Sequence, residues 1–173
     1  KVKVQGLELE TVYLITENLM VNASASFLDT EIVESDPLPN TSLGSVGGVP
    51  LFEDVEGNDL PNAPEMSLSL GLQYTQALNE DLELRYRLDY YWQDQYQGRE
   101  FDNYTYDSWD RTDLYVTLSE TQGRWEVEAF VKNVTDDDGI TGGSAEASLV
   151  GLFRKLRLLD PRTFGVEFSY HWD

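Results

Sequence analysis

The chain has 173 residues, 32 acidic against 12 basic, no cysteine and a formal net charge of -20. This is one domain or part of one; its charge repels nucleic-acid phosphates, and the lack of Cys excludes disulfide frameworks and thiol chemistry. Mean hydropathy is negative and no stretch approaches the roughly 20 apolar residues of a spanning helix, while 12% aromatics is too rich for a disordered acidic segment.

The chain begins at Lys1 without a charged leader and apolar core, so any signal peptide is expected to lie upstream or never to have been present. From there the period of the pattern is two. Leu7, Leu9, Tyr13 and Ile15 face away from Glu8 and Glu10. After Thr16 to Asn18, a connection of hairpin length, Leu19, Val21, Ala23, Ala25 and Phe27 alternate with Asn22, Ser24 and Ser26. A polar stretch from Glu34 to Glu65 follows, then Met66, Leu68, Leu70, Leu72 and Tyr74 against Ser67, Ser69, Gly71 and Gln73. Ala77 to Asp81 is again a tight turn. Beyond it lies the clearest alternation, Leu82, Leu84, Tyr86, Leu88, Tyr90 and Trp92 against Glu83, Arg85, Arg87, Asp89, Tyr91 and Gln93.

A second long polar stretch, Gln97 to Ser108, precedes Leu114, Val116 and Leu118, which alternate with Asp113, Tyr115, Thr117 and Ser119. The turn Glu120 to Arg124 leads to Trp125, Val127, Ala129 and Val131, set against Glu126, Glu128 and Lys132, with Phe130 interrupting the polar side. After the third long stretch, Asp136 to Arg162, come Phe164, Val166, Phe168, Tyr170 and Trp172 between Gly165, Glu167, Ser169 and His171. Alternation of this kind marks half-apolar β-strands. About seven strands result, most of roughly 9 to 12 residues, the length that crosses a bilayer when tilted.

Short and long connections alternate strictly. Outer-membrane barrels join one end by short turns and the other by long loops, and Tyr74, Tyr90, Trp92, Trp125 and Trp172 stand where an interfacial girdle would lie. The predicted class is all-β, an antiparallel transmembrane barrel. Periodicity alone also admits a soluble β-sandwich ligand-binding module, with Leu84, Tyr86 and Leu88 as its core. A porin or autotransporter barrel would show the same alternation.

Four segments then resemble, in order and spacing, the closing part of TonB-dependent outer-membrane receptors: Gly6 to Glu10, Leu60 to Glu65, Phe130 to Asp136 and Asp160 to Val166. The resemblance spans essentially the whole chain. It implies that residues 1–173 are a C-terminal segment, the last seven strands of a barrel of about 22, with plug domain and earlier strands outside this segment. It implies active uptake of a metal chelate such as a siderophore, a vitamin or a carbohydrate, energised through the TonB complex, in the outer membrane of a Gram-negative bacterium. The implied partners are lipid and lipopolysaccharide, the rest of the barrel with its plug, the TonB complex and the barrel assembly machinery. The family's final residue is usually aromatic, whereas here Asp173 follows Trp172. An odd strand count cannot close with an antiparallel seam, and lipid tolerates no open edge, so the remaining strands are expected before Lys1.

Candidate sites are few. Tyr104, Tyr106 and Trp109 in the middle long stretch offer rings that could stack on a chelate or sugar. Arg154, Lys155 and Arg157 form a basic cluster suited to an anionic ligand or a lipopolysaccharide phosphate, or simply a solvated loop. Phe164, Val166, Phe168, Tyr170 and Trp172 read as a lipid-facing strand and, by resemblance, as the assembly signal. Asp136 to Gly139 lacks the ligand spacing of a calcium loop and reads as an acidic loop base. His171 is the only histidine, so a multi-histidine metal site is not available. No nucleophile with a base, phosphate loop or Cys-His ligand set is present, so no enzymatic role, cofactor or metal is assigned.

Overall fold

A computed structural model describes residues 1–101, 103–145 and 154–172, with the backbone alone at 145 and 154. Asp173 lies outside the described residues.

Seven strands form one antiparallel sheet: β1 (Val2–Thr16), β2 (Leu19–Ile32), β5 (Met66–Ala77), β6 (Leu82–Gln93), β9 (Trp109–Glu120), β10 (Trp125–Lys132) and β13 (Thr163–Tyr170). Each pairs with the next along the chain, a plain meander without crossover. The turns are built by short polar side chains. Thr16 Oγ1 accepts the N–H of Leu19 at 3.0 Å, and Asn79 Oδ1 those of Asp81 and Leu82 at 2.9 Å each. Gly123 supplies a positive φ of 76° after Glu120, where glycine carries no Cβ penalty.

Each long connection folds about a small hairpin of its own: β3 (Leu38–Val46) with β4 (Val49–Glu53), β7 (Tyr96–Gln97) with β8 (Thr105–Tyr106), and β11 (Ile140–Ala145) with β12 (Arg154–Leu158). The sequence reading of plain polar loops is corrected here. Two of these hairpins contain register shifts, between Asn40 and Ser45 and between Ile140 and Gly142, which break the period on which strand recognition depends.

The sheet strands outrun their predicted lengths at the long-loop end. Beyond Leu7 and Phe27, the face carrying the apolar residues turns polar: Gln5 Nε2 donates to Asp29 Oδ2 at 2.8 Å, and Lys3 pairs with Asp29 at 3.7 Å. Apolar alternation stops there while backbone pairing continues to Val2 and Ile32. Trp109 likewise opens β9 rather than closing the loop before it. Polar residues on both faces from Asp110 to Asp113 hide that start.

Register decides the character of the two faces. Tyr13, Val21, Leu72, Leu88, Leu114, Val131 and Phe164 are successive cross-strand partners, an apolar row across all seven strands. Among the described residues no second sheet covers this face: Phe164 is 80% exposed, Phe168 64% and Val116 40%. The described residues therefore build no sandwich core over this face, which would bury these side chains. Strands of 12 residues, such as β5, β6 and β9, run about 40 Å, or about 30 Å along the normal at the tilt of barrel strands, which matches a bilayer's hydrocarbon core. Aromatics mark both margins of the face, with Trp92 toward the long connections and Trp125, Tyr170 and Trp172 toward the turns.

The other face is polar. Phe130, which breaks its pattern, lies over Gly165: a Cβ there would meet the ring's Cζ at 2.7 Å. Tyr115, 6.5 Å away between centroids, and the Lys132 ammonium, 4.9 Å from the ring centre, complete its surroundings.

Candidate ligand-facing site on the polar wall

Near the long-loop end, alternation places Ser69, Asp89, Tyr91, Trp109, Arg111, Asp113 and Tyr115 on the polar face of β5, β6 and β9. They border an open concavity of about 440 Å³. Tyr91 and Trp109 are cross-strand diagonal neighbours with ring centroids 5.0 Å apart. Asp89 and Asp113 stand directly opposite one another, a repulsive arrangement in isolation. Each is compensated from its own strand, Asp89 by Arg87 at 2.7 Å and Asp113 by Arg111 at 3.2 Å. The Arg111 side chain remains 49% exposed. The result is a wall of rings and guanidinium that is half-wetted, able to stack on planar groups and to bond anions.

Behind this patch, Asp113 also anchors a corner. Its Oδ1 accepts the Asn133 N–H at 2.9 Å. Asn133 is buried and left-handed, with φ 50°, a conformation that Asn tolerates better than most residues. Its Nδ2 donates to the carbonyls of Asp137 at 2.8 Å and Asp160 at 2.9 Å, and its Oδ1 accepts from Asp137 N–H at 3.0 Å. Arg162 donates its N–H to Asp136 Oδ1 at 2.8 Å and pairs with that carboxylate at 3.7 Å. Two of the four resembling segments, Phe130 to Asp136 and Asp160 to Val166, are thus the halves of one knot joining β10 to β13. Of the acids in Asp136 to Gly139, Asp136 and Asp137 are engaged with backbone, Asp137 Oδ1 accepting Gly139 N–H at 2.6 Å.

The structure disperses the predicted site residues. Tyr104 and Tyr106 are buried with Tyr96 in a three-ring cluster, centroids 4.9 and 5.0 Å apart, against which Ile140 packs. Tyr104 and Tyr106 meet edge to face, and Tyr96 lies tilted against Tyr106. Burial pushes the Tyr96 hydroxyl pKa up, with Tyr91 and Tyr104 adding to the shift. Trp109 lies on the concave wall beside Tyr91. Lys155 and Arg157 are exposed on β12, opposite Ser144 and Gly142; the side chain of Arg154 lies outside the described residues. That hairpin meets the tyrosine cluster through its other face, where Gly143 leaves room for Tyr106: a Cβ would meet its hydroxyl at 2.8 Å. Phe164, Val166, Phe168, Tyr170 and Trp172 form the outer face of β13 and the residues beyond it, all exposed. Sequence reasoning missed Tyr91, Arg111 and Asp113, whose only signal was their shared parity with Ser69 and Asp89.

Strand length, the apolar row across all seven strands and the one-sided placement of long connections define a wall of a transmembrane antiparallel β-barrel. Residues 1–134 match the family described as TonB dependent receptor-like, beta-barrel, and the chain belongs to that family. Its fold is also that of two solved structures. The ferric yersiniabactin uptake receptor FyuA from Yersinia pestis superposes with a TM-score of 0.74 at 15% identity, covering 96% of this chain and 23% of that one. The siderophore receptor PiuA from Acinetobacter baumannii gives 0.70 at 20% identity, covering 96% and 21%. The chain therefore spans under a quarter of either receptor's length. No curated protein compared with it matches. The family consists of receptors and transporters, not enzymes.

Proposed function

We propose that residues 1–173 are the closing segment of the barrel of an outer-membrane receptor that imports a scarce nutrient, a metal chelate of the siderophore kind, energised through TonB. The observation that carries this reading is the pairing of two opposite faces on one register-locked sheet: an uncovered apolar face that asks for lipid, and a polar face with an aromatic and guanidinium concavity that asks for a solute. Family membership and the two siderophore receptors with this fold favour a chelate over a vitamin or carbohydrate. In this reading the plug domain, the earlier strands and the TonB-contacting segment belong to the rest of the receptor. Ligand contact falls to Trp109, Tyr91 and Arg111 on the wall and to Lys155 and Arg157 on the outer hairpin, whose cations also suit lipopolysaccharide phosphate. Tyr104 and Tyr106 hold the middle connection beneath them. The outer face of β13, Phe164 to Trp172, contacts lipid and is read by the assembly machinery.

The full-length receptor, expressed in a Gram-negative strain lacking its own ferric-chelate receptors, is expected to restore accumulation of radioiron from at least one chelate in a siderophore panel. That accumulation should vanish with a protonophore or without TonB. Uptake that persists in a strain without TonB would overturn the energised-receptor reading, and failure across the panel would overturn the chelate reading.

A further inference from the structure

Alternation along β2 puts Thr30 and Ile32 on the polar face, with Asn22, Ser24 and Ser26. Both are buried. The cover comes from the return half of the first long connection. Leu60 N–H donates to Thr30 Oγ1 at 3.1 Å, Ile32 N–H to Asn58 O at 2.9 Å, and Gly57 N–H to Ile32 O at 2.8 Å. Val55, wholly buried, packs on Ile32, with Leu38 and Leu60 around it. Residues 54–62 therefore fold inward across the mouth of the polar wall.

The residue that completes this small core belongs to a different connection. Phe101, from the segment between β7 and β8, is 0% exposed and sits with Ile32 and Val55. Its flanks are tied to the same inward segment: Asn58 Nδ2 donates to Glu100 O at 3.0 Å, and Asn62 N–H to Gln97 O at 2.8 Å. The Arg99 guanidinium stands 5.1 Å from the Phe101 ring centre.

We infer that Phe101 is a latch that makes the first and second long connections one in-folded strap, so that they open and close together. So small a cluster has little other apolar cover. Withdrawing the ring exposes Ile32 and Val55 to water, and the free energy of local opening follows the apolar contacts that hold a segment down. Opening of the second connection then carries the first with it, and a solute touching either is felt by both. This inference does not depend on what the receptor imports.

Amide hydrogen exchange on the full-length receptor in detergent or outer-membrane vesicles tests it. Phe101→Ala is expected to accelerate exchange at Ile32, Gly57, Asn58 and Asn62 by about tenfold or more, although none of them is in the mutated connection, while the amides of β6 and β9 keep their wild-type rates. Asn58→Ala should act in reverse, loosening residues 99–103 with the ring in place, and Phe101→Leu should give a smaller version of the alanine effect if alanine prevents folding. Acceleration confined to residues 98–106 in Phe101→Ala or Phe101→Leu, or unchanged exchange at 99–103 in Asn58→Ala, would overturn the latch.

Discussion

Asn133 shows how one side chain can hold a fold's corner. It accepts one backbone N–H and donates to two carbonyls, one of them 27 residues on at Asp160, while its own N–H goes to Asp113. Alanine would remove two part-buried hydrogen bonds to the carbonyls of Asp137 and Asp160 and place a Cβ residue without local polar compensation in the left-handed region. Each lost hydrogen bond costs about 0.5–1.5 kcal/mol, and the backbone term adds about 1 kcal/mol. Asn133→Ala should therefore lower the temperature at which the folded band disappears on unheated gels, with Asn133→Gly falling between it and wild type. Equal melting of Asn133→Ala and wild type would show that the knot contributes nothing.

At the scale of the element, the outer and inner faces of one strand should answer differently to the same charge. Leu88 lies in the middle of the apolar row and Gln73 on the opposite face one strand away. A Lys on a lipid-facing barrel position costs about 2–4 kcal/mol near the midplane, so Leu88→Lys should be strongly destabilising in lipid vesicles and Gln73→Lys, which stands opposite Arg87, much less so. Comparable losses for both, measured by urea unfolding in vesicles, would place both side chains in the same medium. The sheet itself was legible in the sequence because it depends on parity, and parity survives any single substitution. The long connections were not. Their hairpins are short and bulged, and Phe101 lies among Arg99, Glu100 and Asn103 with nothing local to mark it as core. Tyr104 and Tyr106 had the opposite fate, since aromatic residues in a polar stretch signal burial and ligand contact alike. The concave site was half visible: Trp109 stood out, whereas Tyr91 and Arg111 looked like ordinary members of a polar face until register set them side by side.

For the whole molecule, the assignment of faces makes an orientation test possible with the protein's own four tryptophans. Trp92, Trp125 and Trp172 mark the margins of the apolar face, while Trp109 faces the concavity. In single-tryptophan versions of the full receptor, brominated acyl chains should quench the first three and leave Trp109 unaffected, whereas aqueous acrylamide should reach Trp109. Lipid quenching of Trp109 with none at Trp92 would turn the sheet inside out.

The gap left by Gly165 beneath the Phe130 ring has a consequence for how the last hairpin is set. Sliding β13 by two residues keeps every side chain on its proper side, so parity alone cannot detect the error. It would, however, bring Thr163 or Glu167 under the ring where now there is room. The ring and the vacancy work as a keyhole that accepts one alignment of the terminal strand and rejects its near neighbours. Gly165→Val should remove that discrimination and slow maturation of newly made barrel, seen as a longer-lived unfolded band in pulse-chase gels.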